Sequence, residues 1–290
     1  MWWLAALFVL GDSAQDRTVA VAPGEYLEVT ATGAGTPVVL IPGLFGSAFG
    51  FRKLIPLLVA QGHRVVVIEP LGVGTSGRPE RADYSLDAQA SRIAAVLDTL
   101  GLSQVVLVAH SLGAGMGFRL AYRRPDLLRA FVSLDGGPAE TAATPGLRRA
   151  AQWAPWVKVF GGTKLVRGKI RGSLIKASGD TTWVSDEVVE AYTAGAAADL
   201  DGTLKAYLRM GEAHERERLA PHLAEILCPV ILVLGGAPHP ETMSGRDLER
   251  LQSSLPQLVT ETIEGAGHYP QEERPDAVAL IVERVAGMVP

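Results

Sequence analysis

A serine, a histidine and several glycines stand in this chain where acyl-transfer chemistry would need them. Ser111 lies in VLVAHSLGAG, residues 106–115. A β-branched apolar run ends at Ala109, Ser111 follows two residues later, and a helical pattern begins at Leu112. Ala109, Ser111 and Gly113 meet the spacing small–x–Ser–x–small. A nucleophile held out on a sharp strand-to-helix turn needs small neighbours, because its backbone is strained and packing around it is close. The helix N-terminus that follows favours negative charge. The plainer reading is a serine that only caps this helix.

The oxyanion formed in acyl transfer needs two preorganised donors. Leu112 N–H is one candidate. IPGLFGS, residues 41–47, directly follows an earlier apolar run and offers Leu44 N–H as the other. Read alone, that segment is equally a plain glycine-rich turn. The base is expected at His268, in IEGAGHYPQEERP, residues 263–275. It lies at the C-terminal end of the last apolar run, where sites form on open parallel sheets. His110 adjoins Ser111 and is expected to point elsewhere. His214 and His222 fall in a helical region, and His63 precedes an early strand at the other end of the sheet.

The elements that must hold these residues are legible from periodicity. Residues 37–42, 64–69, 104–109, 130–134 and 229–234 are short, apolar on successive positions and rich in valine. That pattern marks strands buried on both faces of a parallel sheet. A weaker strand fits 258–263. Helical patterns over 51–61, 86–100 and 112–124 alternate with the strands, closed by Gly62, by Gly101 and by Pro125 respectively. An α/β fold with right-handed crossovers follows. Residues 18–21 and 26–31 flank a Pro-Gly turn and read as a leading antiparallel hairpin.

From 140 to 223 the alternation stops. No buried-strand run appears, and aromatic and basic residues collect. We read 18–139 and 224–290 as the core and 140–223 as a helical cap. Trp153, Trp156, Leu165 and Trp183 could line an apolar substrate pocket there or simply pack the cap.

Of the 290 residues, 48% are hydrophobic and 20% charged, with net charge −4, which fits a globular chain with a sizeable core. No basic cluster suggests a nucleic-acid partner. The single cysteine, Cys228, cannot form an internal disulfide and reads as a buried strand-entry residue. Trp2–Leu10 is an unbroken apolar run, too short to span a bilayer. It resembles the core of a secretory signal without a positive n-region. A signal, an anchor remnant and a packed apolar element all fit residues 1–17. Membrane association is expected only through this segment, and localisation and oligomeric state stay open.

Together these motifs resemble the α/β-hydrolase superfamily, in particular its capped branch of esterases, lactonases, carbon–carbon bond hydrolases, epoxide hydrolases and dehalogenases. EPLGVGTSGRP, residues 69–79, looks like that branch's DxxGxGxSxxP segment. The resemblance runs from about residue 18 to the C-terminus and is weakest in the cap. It implies a mostly parallel sheet flanked by helices, with the order Ser, acid, His. Epoxide hydrolases and dehalogenases carry Asp where this chain has Ser111, which disfavours both.

The acid departs from the family pattern. Most relatives place it after the strand matching 229–234, where this chain reads GGAPHPE and puts His239. Some relatives carry it one strand earlier, which implies Asp135 in SLDGG. Glu241 is the fallback. The expected activity is hydrolysis of an apolar carboxylic ester or lactone, with no cofactor and no metal. A carbon–carbon bond hydrolase would use the same triad. A non-catalytic ligand-binding protein on this fold is the alternative from another class.

Overall fold

The computed structural model describes residues 14–143, 147 and 162–288. Trp153, Trp156 and the N-terminal apolar run at 2–10 lie outside the described residues.

The described chain forms one eight-stranded sheet in the order β1-β2-β4-β3-β5-β6-β7-β8. Strands β1 (Gln15–Ala22) and β2 (Glu25–Thr32) make the leading antiparallel hairpin, and β2 pairs antiparallel with β4 (His63–Ile68). From β4 onward every pairing is parallel, through β3 (Thr36–Ile41), β5 (Val105–His110), β6 (Leu128–Leu134), β7 (Val230–Gly235) and β8 (Leu258–Ile263).

Alternation explains why the central strands are apolar at every position. Val105, Leu107 and Ala109 point into one core cluster, and Val106 and Val108 point into the other. Strand β3 divides likewise, with Val39 and Ile41 on one face and Val38 and Leu40 on the opposite one. A strand with no solvent face has no place for a polar residue. The outermost strand β8 is only partly covered, which accounts for its mixed sequence LVTETI.

Helices cover both faces. α1 (Leu54–Ala60) buries Leu54 and Leu58 on the face that also takes Val278, Val282 and Val285 of the C-terminal helix. The other face is covered by α2 (Leu86–Thr99) and α3 (Leu112–Arg123) through Ile93, Leu97, Met116 and Leu120. Ser85 caps α2 by accepting a bond from Ala88 N–H. Gly62 and Gly101 take positive φ (+83° and +64°) just past α1 and α2, as their sequence positions predict.

Between β6 and β7 the described residues hold α4 (Gly162–Ala177), α5 (Asp186–Ala198), α6 (Leu200–Glu212) and a 3-10 turn at Ala220–Glu225, with no strand. α7 (Gly245–Ser254) follows β7, and α8 (Pro270–Glu273) and α9 (Pro275–Ala286) close the chain. Cys228 is buried, and burial pushes its thiol up to about 11. Among the described residues no helix is long and apolar enough to cross a membrane.

Candidate active site

Ser111 stands on the turn from β5 into α3 with φ +52° and ψ −118°, a left-handed conformation costly for a residue with a Cβ. Its N–H donates to Leu134 O at 3.0 Å and its C=O accepts from Ala114 N–H at 3.0 Å, so both neighbouring elements hold the strain in place. Gly113 is required by close approach: a Cβ there would lie 2.8 Å from Pro42 O. Gly43 faces the serine, and a Cβ on it would come 3.0 Å from Ser111 Cβ.

His268 enters from the loop after β8. Its Nε2 lies 3.0 Å from Ser111 Oγ and its Nδ1 lies 2.7 Å from Asp135 Oδ2. A carboxylate only accepts, so Nδ1 carries the proton and Nε2 faces the serine as acceptor. Asp135 follows β6 at φ +44°, and Gly235 N–H donates to its Oδ1 at 3.1 Å. Burial pushes the Asp135 carboxyl up, but His239 and then His268 more than reverse this and hold it well below the usual carboxylate range. The structure thus brings Ser111, His268 and Asp135 into one line. Glu241 stays apart, its Oε2 4.0 Å from His239 Nδ1.

Leu112 opens α3, where first-turn N–H groups have no acceptor inside the helix. Leu44 occupies a tight turn closed by Gly46 N–H to Gly43 O at 3.0 Å, with Phe45 at φ +61°. Glu69, the acid of the 69–79 loop, steadies this segment. It accepts from Ala48 N–H at 2.9 Å and from Thr75 N–H at 2.6 Å.

Three supporting residues escaped sequence reasoning. The His110 ring does turn away from the serine hydroxyl, yet it packs 4.8 Å from the His268 ring and its Nε2 donates to His268 O at 2.7 Å. Burial, then the neighbouring His268, pushes His110 down to about 3, so it is a neutral donor. Glu273 accepts from Gly267 N–H at 3.0 Å, Tyr269 N–H at 3.2 Å, and Gly179 and Asp180 N–H at 2.7 Å each, fastening the His268 loop to the end of α4. His268 N–H adds a bond to Ala177 O at 2.7 Å. His239 lies 3.3 Å from Asp135 Oδ2. The only sequence signal for His239 was its place where an acid was expected.

Trp183 is buried among Ile170, Leu174, Val188 and Val189, with its indole N–H donating to Ser178 Oγ at 3.2 Å. Leu165 is half-buried on α4. A cavity of about 280 Å³ is walled instead by Phe45, Phe49, Arg78, Ile170, Tyr192 and Tyr207, together with smaller residues. Phe45 gives it a wall in common with the Leu44 turn. The donor atoms of Asp135, His239 and His268 lie within 4.8 Å of one another. A cation among them would displace the Asp135–His268 hydrogen bond, and we read no metal ligation into the cluster.

A mostly parallel sheet with a serine at a strained strand-to-helix turn is the framework of the α/β hydrolases, and the chain has that fold. The model of the alpha/beta hydrolase fold matches residues 36–165. The chain is 27% identical over 257 residues to the sn-1-specific diacylglycerol lipase ABHD11 of Mus musculus, covering 82% of this chain and 76% of that one. It is also 27% identical over 289 residues to a haloalkane dehalogenase of Psychrobacter cryohalolentis, covering 95% and 90%. The solved structure of the epoxide hydrolase CorEH superposes with a TM-score of 0.79 at 20% identity, covering 94% of this chain and 98% of that one, a likeness of fold.

Proposed function

We propose that this hydrolase is a serine hydrolase that cleaves a carboxylic ester or lactone of an apolar substrate through an acyl-enzyme. The observation that carries the reading is the unbroken chain from Ser111 Oγ to His268 Nε2 at 3.0 Å and from His268 Nδ1 to Asp135 Oδ2 at 2.7 Å. A dehalogenase or epoxide hydrolase reading, which the comparisons leave open, needs a carboxylate nucleophile where this chain has Ser111.

In the proposed sequence His268 takes the Ser111 proton as Oγ attacks the carbonyl carbon. The N–H groups of Leu112 and Leu44 hold the oxyanion. The C–O bond to the leaving alcohol breaks as His268 returns the proton to it. Water then attacks the acyl-enzyme with His268 again as base, releasing the acid and restoring Ser111. Asp135 keeps the imidazole in one tautomer and stabilises its cation. Helices α4 to α6 act as the cap over this site.

Wild type and Ser111→Ala are compared on p-nitrophenyl acetate, butyrate and octanoate, with fluorophosphonate labelling of both. Turnover and labelling in wild type alone support the reading. A wild type silent on all three esters and refractory to the phosphonate sinks it. Labelling without ester turnover points to carbon–carbon bond hydrolysis by the same triad.

A further inference from the structure

Tyr192 of α5 reaches across to the core, where its hydroxyl donates to Glu272 Oε1 at 2.8 Å. Glu272 lies on α8, in the segment that follows His268, and its side chain is fully buried. A buried carboxylate needs a compensating cation and hydrogen bonds. Arg52 Nη1 bonds the same Oε1, Lys53 Nζ stands 3.8 Å from Oε2, and Lys53 also donates to Glu272 O at 2.8 Å. Gly50 leaves room for the meeting, since a Cβ there would lie 3.0 Å from Tyr192 Oη. A charge-assisted bond to a carboxylate held this firmly fixes the direction of the phenol ring. The ring stands edge-on to Phe49 with centroids 6.0 Å apart and tilted against Trp183 at 5.9 Å.

The same ring is a wall of the cavity of about 280 Å³ beside the Leu44 turn. The other residues that α5 sends to this cavity are small, Ala191, Ala194 and Gly195 among them, so Tyr192 alone gives that side its bulk. Among the described residues, none of the cavity's lining comes from the loop that carries His268. A leaving alcohol must lie within reach of His268 Nε2, which protonates it, so the cavity is placed for the acyl side of the ester. Its volume lies just below the range of about 300–1,000 Å³ usual for small-molecule sites, which suits a short to medium acyl group. Resting on the serine-hydrolase reading above, we infer that Tyr192 is a specificity-determining residue: held by Glu272, its ring walls the acyl cavity and limits the acyl chain the protein accepts.

The test is the ratio of kcat/KM for p-nitrophenyl octanoate to that for p-nitrophenyl butyrate, in wild type, Tyr192→Ala and Tyr192→Phe. Each ratio is taken within one preparation, so a loss of folded protein cancels. Tyr192→Ala removes the wall and raises the ratio about tenfold or more. Tyr192→Phe keeps the ring but frees it from Glu272, which stays paired with Arg52, and it raises the ratio by less. Ethyl and octyl butyrate, which vary the alcohol instead, keep their wild-type ratio in both variants. A p-nitrophenyl ratio that either variant leaves unchanged, or an equal shift in the alcohol series, overturns the inference. If wild type turns over no ester, the hydrolase reading fails. Fluorescence titration of Ser111→Ala protein with methyl butyrate and methyl octanoate, with and without Tyr192→Ala, then decides the size limit by itself. Octanoate binding that gains over butyrate on loss of the ring supports it, and an unchanged preference overturns it.

Discussion

Asp135 Oδ2 accepts a 2.7 Å bond from His268 Nδ1 across 133 residues of sequence, and it does so from the end of β6. If this carboxylate serves as the triad acid, Asp135→Asn lets the ring adopt the wrong tautomer. The expected loss in kcat is about 10⁴-fold. Glu241→Gln, measured on the same ester, stays within about tenfold of wild type, since Glu241 touches the pair only through His239. A larger loss from Glu241→Gln than from Asp135→Asn would reassign the acid.

Glu273 anchors the histidine loop through four backbone N–H groups. Glu273→Ala leaves those donors without their acceptor and lets His268 drift from Ser111. Misplacement of about 1 Å costs about 10²-fold in rate. Glu273→Ala is therefore expected to lower kcat by about that factor with little change in KM. A fall confined to KM would place Glu273 in substrate binding instead.

His110 couples stability to pH. Its folded-state value is about 3, whereas the unfolded imidazole titrates at 6.5. Between these values the unfolded chain holds a proton that the native state does not, so stability falls as pH drops through that window and is constant above it. From pH 6.5 to 5 this single group removes about 2 kcal/mol. Urea denaturation at the two pH values is expected to show that loss in wild type and not in His110→Gln. Equal losses in both proteins would mean that His110 charges while folded.

Gly136 follows the proposed acid, and a Cβ there would lie 2.5 Å from Ser111 O and 2.6 Å from Ala114 Cβ. Neither neighbour can yield without disturbing the turn that carries Ser111. Gly136→Ala should cost about 1–3 kcal/mol in thermal or urea unfolding. It should also reduce activity far more than it reduces stability. Activity within twofold of wild type would show that the turn relaxes freely.

Arg119 is fully buried, with Asp87 Oδ1 at 3.1 Å from Nη1 and Glu215 Oε2 at 3.6 Å from Nε. Glu215 also accepts from Leu86 and Asp87 N–H at 2.9 and 3.0 Å, joining the segment after α6 to the start of α2. Arg119→Ala removes the buried cation between the two carboxylates, leaving Asp87 with Arg123 Nη2 at 3.2 Å and Glu215 with its two backbone donors, and the expected loss in urea unfolding is about 3 kcal/mol. A loss under about 1 kcal/mol would mean that water enters and solvates them.

Much of this architecture was written locally. Valine-rich runs buried on both faces dictate the central strands, and Gly62 and Gly101 end their helices where positive φ demands glycine. Ser111 was legible because the turn it occupies restricts its neighbours in sequence, and His268 because it follows the last strand in a glycine-rich loop. Residues that act only through partners distant in the chain were not legible. Asp135 was reached only through the family resemblance, and how His239 comes to lie beside it, how His110 packs on the facing ring, and how Glu273 gathers four amides depend on contacts between β6, β7, β8 and α4. Such contacts arise when parallel crossovers bring separate loops to one end of the sheet, and no periodicity along the chain records them.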